Sequence, residues 1–132
     1  MPWKTEYNPE SGILEQTYSG HVKINDIIEC TSDSIQIENA HPGSNRFLVD
    51  LTNAYLDINF SDLHTLVNGQ YVEEGADRNG RLVVLEPASE TTRKLVSFYE
   101  TVCINRGWKV KVIKDRNEAI KWLITDTSSA NS

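Results

Sequence analysis

Cysteine is nearly absent from this 132-residue chain. Cys30 and Cys103 are the only two, and neither stands in a CxxC pair. That leaves no disulfide framework and no thiolate metal motif, so both read as small buried core residues. Methionine occurs once and proline four times. The three histidines, His21, His41 and His64, never fall at i, i+4 or beside a cysteine, so metal ligation, which needs several convergent donors, is not expected. No apolar run approaches the ~18 residues that span a bilayer, and the opening MPWKTEYNPES has no signal-peptide core. The expectation is a cytoplasmic protein. The motifs GxSxG and HExxH are missing, as is any Cys/His nucleophile arrangement. No cofactor is implied, and a non-enzymatic role is expected.

Positive charge is also scarce. Thirteen Lys+Arg face nineteen Asp+Glu, giving −6. The balance is uneven: residues 1–88 carry five basic against fourteen acidic side chains, and residues 89–132 carry eight against five. An acidic chain is a poor match for phosphate backbones, so nucleic acid is not an expected partner.

What is present is a globular composition, with 39% hydrophobic and 24% charged residues. The length fits one domain, expected over 1–125, with a polar tail over 126–132. Alternation at Trp3, Thr5 and Tyr7, turn residues from Asn8 to Gly12, and an extended run from Ile13 to Tyr18 predict a β-hairpin, closed by Ser19-Gly20. Ile24, Ile27, Ile28, Thr31 and Ile35 recur at helical spacing, with Asn25 or Asp26 as N-cap. Residues 46–52, RFLVDLT, predict a central parallel strand, and Asn53 to Asn59 a polar connection. A second helix is expected from about Phe60 to Glu74, capped by Asn59, carrying Leu63, Val67 and Tyr71 and weakened at Gly69. Residues 81–86 predict a buried strand. Ser89 to Arg106 predicts a helix striped by Leu95, Val96, Tyr99, Val102 and Cys103, stopping at Gly107. Trp108 to Ile113 reads as an edge strand with Lys109 and Lys111 on its wet face. Asp115 caps a last helix with Ile120, Leu123 and Ile124 inward. The order predicts an α/β fold: a mostly parallel five-stranded sheet opened by an N-terminal β-hairpin, with four helices mainly on one side.

Three segments, GILEQTYSG (12–20), FLVDLTN (47–53) and VKVIKDRNEAIKWL (110–123), resemble a STAS domain of the SpoIIAA-like kind, the fold of anti-sigma-factor antagonists. The resemblance spans about residues 3–124. It implies parallel strands in sequential order and a regulatory module that works by binding. Relatives of this kind switch protein partners under phosphorylation, or are proposed to bind lipid or hydrophobic ligands. Antagonists carry a phosphorylated serine in an Asp-Ser-Ser-Gly pattern at the second helix. Here the matching stretch is Asp57-Ile58-Asn59-Phe60, without the serine and glycine; Ser61 follows shortly after, in the first helical turn.

In an open parallel sheet, ligands sit off the carboxyl ends of the strands. The site is therefore expected at the rim of strand ends and the start of the second helix. Tyr55 and Phe60 would supply apolar contact, and Asn53 and Asn59 polar anchors, with Asp57, Ser61 and His64 alongside. Its occupant would be a protein partner or a small hydrophobic ligand. Asp50, a carboxylate in an apolar strand, reads as a structural anchor for a loop amide or arginine before a pocket group, and Asp115 as a cap. The alternative function is reversible association with a membrane surface through the first two helices, which the net charge opposes. A homodimer is the further expectation if an apolar sheet face is exposed. GADRNG (75–80) has P-loop glycine spacing but lacks the Lys-Ser/Thr and leads into a strand, so it reads as a plain turn.

Overall fold

The structure is a computed structural model and describes residues 2–43 and 45–125. The expected polar tail, 126–132, lies outside the described residues. Strand β1 (Trp3–Asn8) turns at Gly12 (φ 73°) into β2 (Ile13–Lys23) and pairs with it antiparallel. The Asn8 side chain accepts the Glu10 amide at 2.9 Å, the local bond that lets Asn initiate a turn. Helix α1 (Ile24–Ala40) leads to β3 (Arg46–Asp57). Helix α2 begins over Phe60–Thr65, widens into a π-helical stretch at Leu66–Gln70 and ends at Tyr71–Glu73. Then come β4 (Arg81–Leu85), α3 (Glu90–Asn105), β5 (Lys109–Ile113) and α4 (Arg116–Ile124). The sheet order is β1-β2-β3-β4-β5, and every pairing after the hairpin is parallel.

Each strand that follows a helix lies beside the strand before it, so the crossovers stack helices over the sheet. The larger core joins Tyr18, Val22, Val49, Leu51, Leu56, Val84 and Val110 from the sheet with Ile27, Leu63, Val67, Leu95, Val96 and Cys103 from α1, α2 and α3. On the other face Leu48, Val83 and Leu85 meet Ala119 and Leu123 of α4. The expected arrangement, helices mainly on one side, is the observed one.

Several local expectations are corrected. Ser19-Gly20 does not close β2; the strand passes a register shift between Thr17 and Ser19 and runs on to Lys23. Asn53 to Asp57 is not a connection but the second half of β3, paired with Ser19 to Lys23. Polar residues hid this because the extension projects beyond β4, whose pairing with β3 ends at Asp50. Its side chains therefore alternate between core (Ala54, Leu56) and solvent. The N-cap of α1 is Lys23 rather than Asn25 or Asp26; Asp26 instead takes the Lys23 amide at 2.9 Å as its capping partner. The helix continues to Ala40 despite Ile35 and Ile37, because burial of the face that carries Ile27, Cys30, Thr31 and Ile35 outweighs weak propensity. Ile124 is 49% exposed, not inward; Ala119 and Leu123 carry the buried face of α4. The caps at Asn59, Ser89 and Asp115 are observed, each accepting the backbone amide three residues on.

Candidate functional site

At the carboxyl end of the sheet, β2 and β3 form a two-stranded ribbon. Asn53, Tyr55 and Asp57 alternate with buried Ala54 and Leu56, so they share its outer face. The register sets His21 opposite Tyr55, and their rings lie 5.1 Å apart. His21 Nε2 is 3.4 Å from Asp57 Oδ2, with both side chains mostly exposed. Phe60 opens α2 with 50% exposure and meets the Phe98 ring of α3 edge-on at 4.8 Å. Tyr55 is 41% exposed. The fold thus brings Tyr55, His21 and Asp57 into one cluster and Phe60 into a second, on the helix side of the same end.

The other expected residues are more tied down. Asn59 Oδ1 accepts the Asp62 amide at 2.8 Å, and Asp62 accepts the Asn59 amide at 3.0 Å, so Asn59 serves the helix start. His64 touches Asn68, which accepts from Arg106, the residue that caps the end of α3, at 2.7 Å. Ser61 is exposed in the first turn of α2. Asp50 accepts the Thr52 amide at 3.0 Å and the Thr52 hydroxyl, and lies 3.9 Å from Arg116, which also pairs with Glu15 at 2.6 Å. Asp50 is thus half-buried on the α4 side, not sealed within the strand.

A groove of about 490 Å³ lies between α1 and α2, with Ile24 and Asp62 of the helix starts among its walls. Ile24, Ile28 and Leu66 give it apolar walls, Gly69 opens it, and Asp62, Glu73 and Glu74 border it. Gln70 bridges the helices, donating to the Ile28 carbonyl at 2.9 Å and to Ser32 at 3.0 Å. The π-helical stretch that places Gln70 here interrupts the normal ladder, a feature that recurs at functional sites. Neither α1 nor α2 contains a lysine or arginine, whereas Asp26, Glu29, Asp33, Asp62 and Glu73 punctuate them. No helix among the described residues is long and apolar enough to cross a membrane. No group of three or more His, Cys, Asp or Glu side chains is placed to hold a metal among the described residues.

Sequence reasoning missed a second feature at the opposite, amino end of the strands. Two adjoining cavities of about 60 Å³ each lie between the sheet and the helix layer, the outer at this amino end and the inner running on toward Leu51, Leu56 and Leu66; they share Gln16, Thr31, Tyr71, Leu82 and Tyr99 as walls. Glu38 lines the outer one and is only 6% exposed. Neither of its oxygens has a hydrogen-bond partner among the described residues. Burial pushes its carboxyl from 4.5 to about 7; the nearby Asp77 backbone amide works against this rise and the Asp77 carboxylate adds to it. Spacing could have found it: Ile27, Thr31, Ser34 or Ile35, and Glu38 fall on one helical face once α1 is allowed to run past Ile35. Elsewhere in the core, burial raises the thiols of Cys30 to about 11 and Cys103 to about 12.

No family model matches the chain, and no curated protein matches it. Solved structures do. The Bacillus cell-fate determinant SpoIIAA in its phosphorylated form is 18% identical, with a TM-score of 0.55 over 91% of this chain and 97% of that one. The anti-sigma factor antagonist SpoIIAA in its unphosphorylated form is 18% identical, with a TM-score of 0.53 over 91% and 96%. An uncharacterized DUF3478 protein with a SpoIIAA-like fold from Shewanella loihica PV-4 is 15% identical, with a TM-score of 0.52 over 92% and 91%. At such identities the likeness is one of architecture, and it agrees with the strand order and the helix layering described above. The chain has the SpoIIAA-like fold.

Proposed function

We propose that this protein is a non-enzymatic regulatory module that docks a cationic, amphipathic segment of a protein partner. The docking surface is the rim at Tyr55 and Phe60 together with the groove between α1 and α2. The observation that carries this reading is the pairing of exposed apolar side chains with one sign of charge. Ile28 (41% exposed) and Val72 (53%) stand on helices that hold acidic residues and no lysine or arginine. Apolar contact supplies the affinity, while the acidic borders steer a basic segment in and repel acidic competitors. The same charge disfavours an anionic membrane surface, where each basic residue near the surface helps by about 1 kcal/mol and acidic ones give no such gain. One structural relative, SpoIIAA, is an anti-sigma factor antagonist, and that role supports a partner-binding use of this fold. Ser61, exposed at the first turn of α2, is the hydroxyl through which phosphorylation would act on this surface, adding negative charge beside Phe60.

Fluorescence anisotropy with a labelled helical peptide of leucines and lysines tests the reading. Ile28→Asp and Glu73→Lys are each expected to weaken binding by roughly tenfold or more, as is the pair Tyr55→Ala with Phe60→Ala. Reversal of the distant Glu10 to Lys is expected to have little effect. Equal losses at Glu10 and Glu73 would reduce the interaction to net charge and defeat the proposal.

A further inference from the structure

The amino-end cavity opens away from the docking rim and contains an unmatched charge-bearing group. Glu38 is nine-tenths buried, and its oxygens make no well-formed hydrogen bond among the described residues, although the Asp77 backbone amide lies close enough to favour its charge. Trp108, on the same lining, has a buried indole N–H that is also unpartnered. Buried polar atoms are nearly always satisfied, so the carboxylate calls for a donor in the cavity; the indole N–H, itself a donor, adds nothing to that demand. The remaining wall is aromatic and aliphatic: Phe47, Tyr71, Tyr99 and Leu82. The Tyr71 and Tyr99 hydroxyls satisfy each other at 2.6 Å and leave their rings to the cavity.

Size and charge narrow the class of occupant. Each cavity has room for about two waters, and together they approach the roughly 150 Å³ that holds benzene in an apolar core. Water would satisfy Glu38 but not the apolar inner cavity, which is lined by Ile27, Leu51, Leu66 and Val84. The charged groups at the mouth are Asp77, Lys109 and Arg81. Asp77 spends its carboxylate on Asn45 at 3.0 Å and on the Asn79 amide at 2.9 Å. Arg81 is drawn to the other face of the sheet, where it lies 4.8 Å over the Trp122 ring and donates to the Trp122 and Thr125 carbonyls. Lys109 is exposed and makes no ion pair with Glu38 among the described residues. Arg78 stacks 4.4 Å over the Trp108 ring and donates to the Arg106 carbonyl, and no ion pair to Glu38 is present among the described residues. Aromatic walls with a carboxylate at one end suit an organic cation.

We propose that this cavity is a small-ligand site for a compact primary amine on an aromatic or short aliphatic body, with its ammonium on Glu38 and its apolar part toward Leu82 and Tyr99. The mouth at Glu38 lies at the other end of the sheet from the docking rim, and Leu66 is the residue that the inner cavity shares with the docking groove. Gly80 closes the mouth: a Cβ there would meet the Asn45 carbonyl oxygen at 2.5 Å, so the loop can approach β3 this closely only without a side chain.

The test uses benzylamine and benzyl alcohol, which share a shape and differ in charge, titrated into the labelled full chain by amide NMR at about pH 8. Benzylamine is expected to shift Ile35, Leu82 and Val110, and to bind roughly tenfold tighter than the alcohol. In Glu38→Gln the two probes should bind equally. Ala76→Met, which fills the mouth, should remove the shifts for both while the spectrum elsewhere stays folded. No shifts at these residues, the outcome for a cavity that holds water alone, would overturn the proposal. So would an amine preference that survives Glu38→Gln. Loss of peptide docking in Ile28→Asp leaves this titration unchanged, so failure of one site is distinguishable from failure of the other.

Discussion

Replacing Glu38 by glutamine should flatten part of the pH dependence of stability. The folded chain holds this carboxyl at about 7 against an ordinary 4.5, because burial penalises the charge by more than the Asp77 backbone amide favours it. The group prefers its proton in the folded state. Its contribution is therefore most favourable below pH 4.5 and erodes as pH rises toward 7. A shift of this size is worth about 3 kcal/mol in all, of which about 2–3 kcal/mol falls between pH ~5 and ~8. Glutamine cannot ionise, so that part of the slope should vanish, while other carboxylates contribute equally to both proteins. The buried amide still lacks partners and costs about 1–3 kcal/mol at every pH, so the absolute stabilities are less telling than their difference. Urea denaturation of both proteins reads this directly. With a slope of about 1–3 kcal/mol per molar, the difference between midpoints should change by roughly 1–2 M between pH ~5 and ~8, in favour of the variant at the higher pH. Parallel pH profiles would refute the burial argument, because they would mean that Glu38 ionises in the fold as it does in water.

Leu123→Ala should cost about 2–5 kcal/mol by urea denaturation, since this side chain is fully buried between α4 and the sheet. Gly80→Ala should cost about 1–3 kcal/mol, because its methyl group meets backbone rather than a flexible side chain; an unchanged midpoint would show that the loop moves freely. Asn59→Ala should lose about 1 kcal/mol through the α2 cap, and Asn59→Asp much less, in the same assay. Cys30 and Cys103 should react with a thiol reagent at pH ~8 far more slowly than a free cysteine, since burial holds both as thiols; prompt labelling would contradict their placement.

The elements with strong periodicity were legible in the sequence. The stripe Leu95, Val96, Tyr99, Val102 and Cys103 is buried as spacing implies, and the lysines of β5 mark the edge. What stayed hidden depended on tertiary partners. Asn53 to Asp57 looks like a loop because half its residues are polar, yet β2 extends beside it and supplies a ladder that local propensity cannot show. The far end of α1 was obscured by β-branched Ile35 and Ile37, and Glu38 was lost with it. The rim was inferred from the rule for parallel sheets. The structure places Tyr55 and Phe60 at that end but commits Asn59 to a cap and ties His64 to Asn68. The amino-end cavity follows no such rule. It arises where the Ala76–Gly80 loop and the end of α1 meet the first residues of three strands.

The docking claim is tested most directly by mapping where a basic amphipathic peptide lands on the amide spectrum of the chain. The account predicts shifts concentrated at Ile24, Ile28, Leu66 and Glu73 and at the Tyr55–Phe60 rim, and none when the peptide's lysines are replaced by glutamates. Shifts centred on α3, β5 and α4, or equal binding of both peptides, would contradict it.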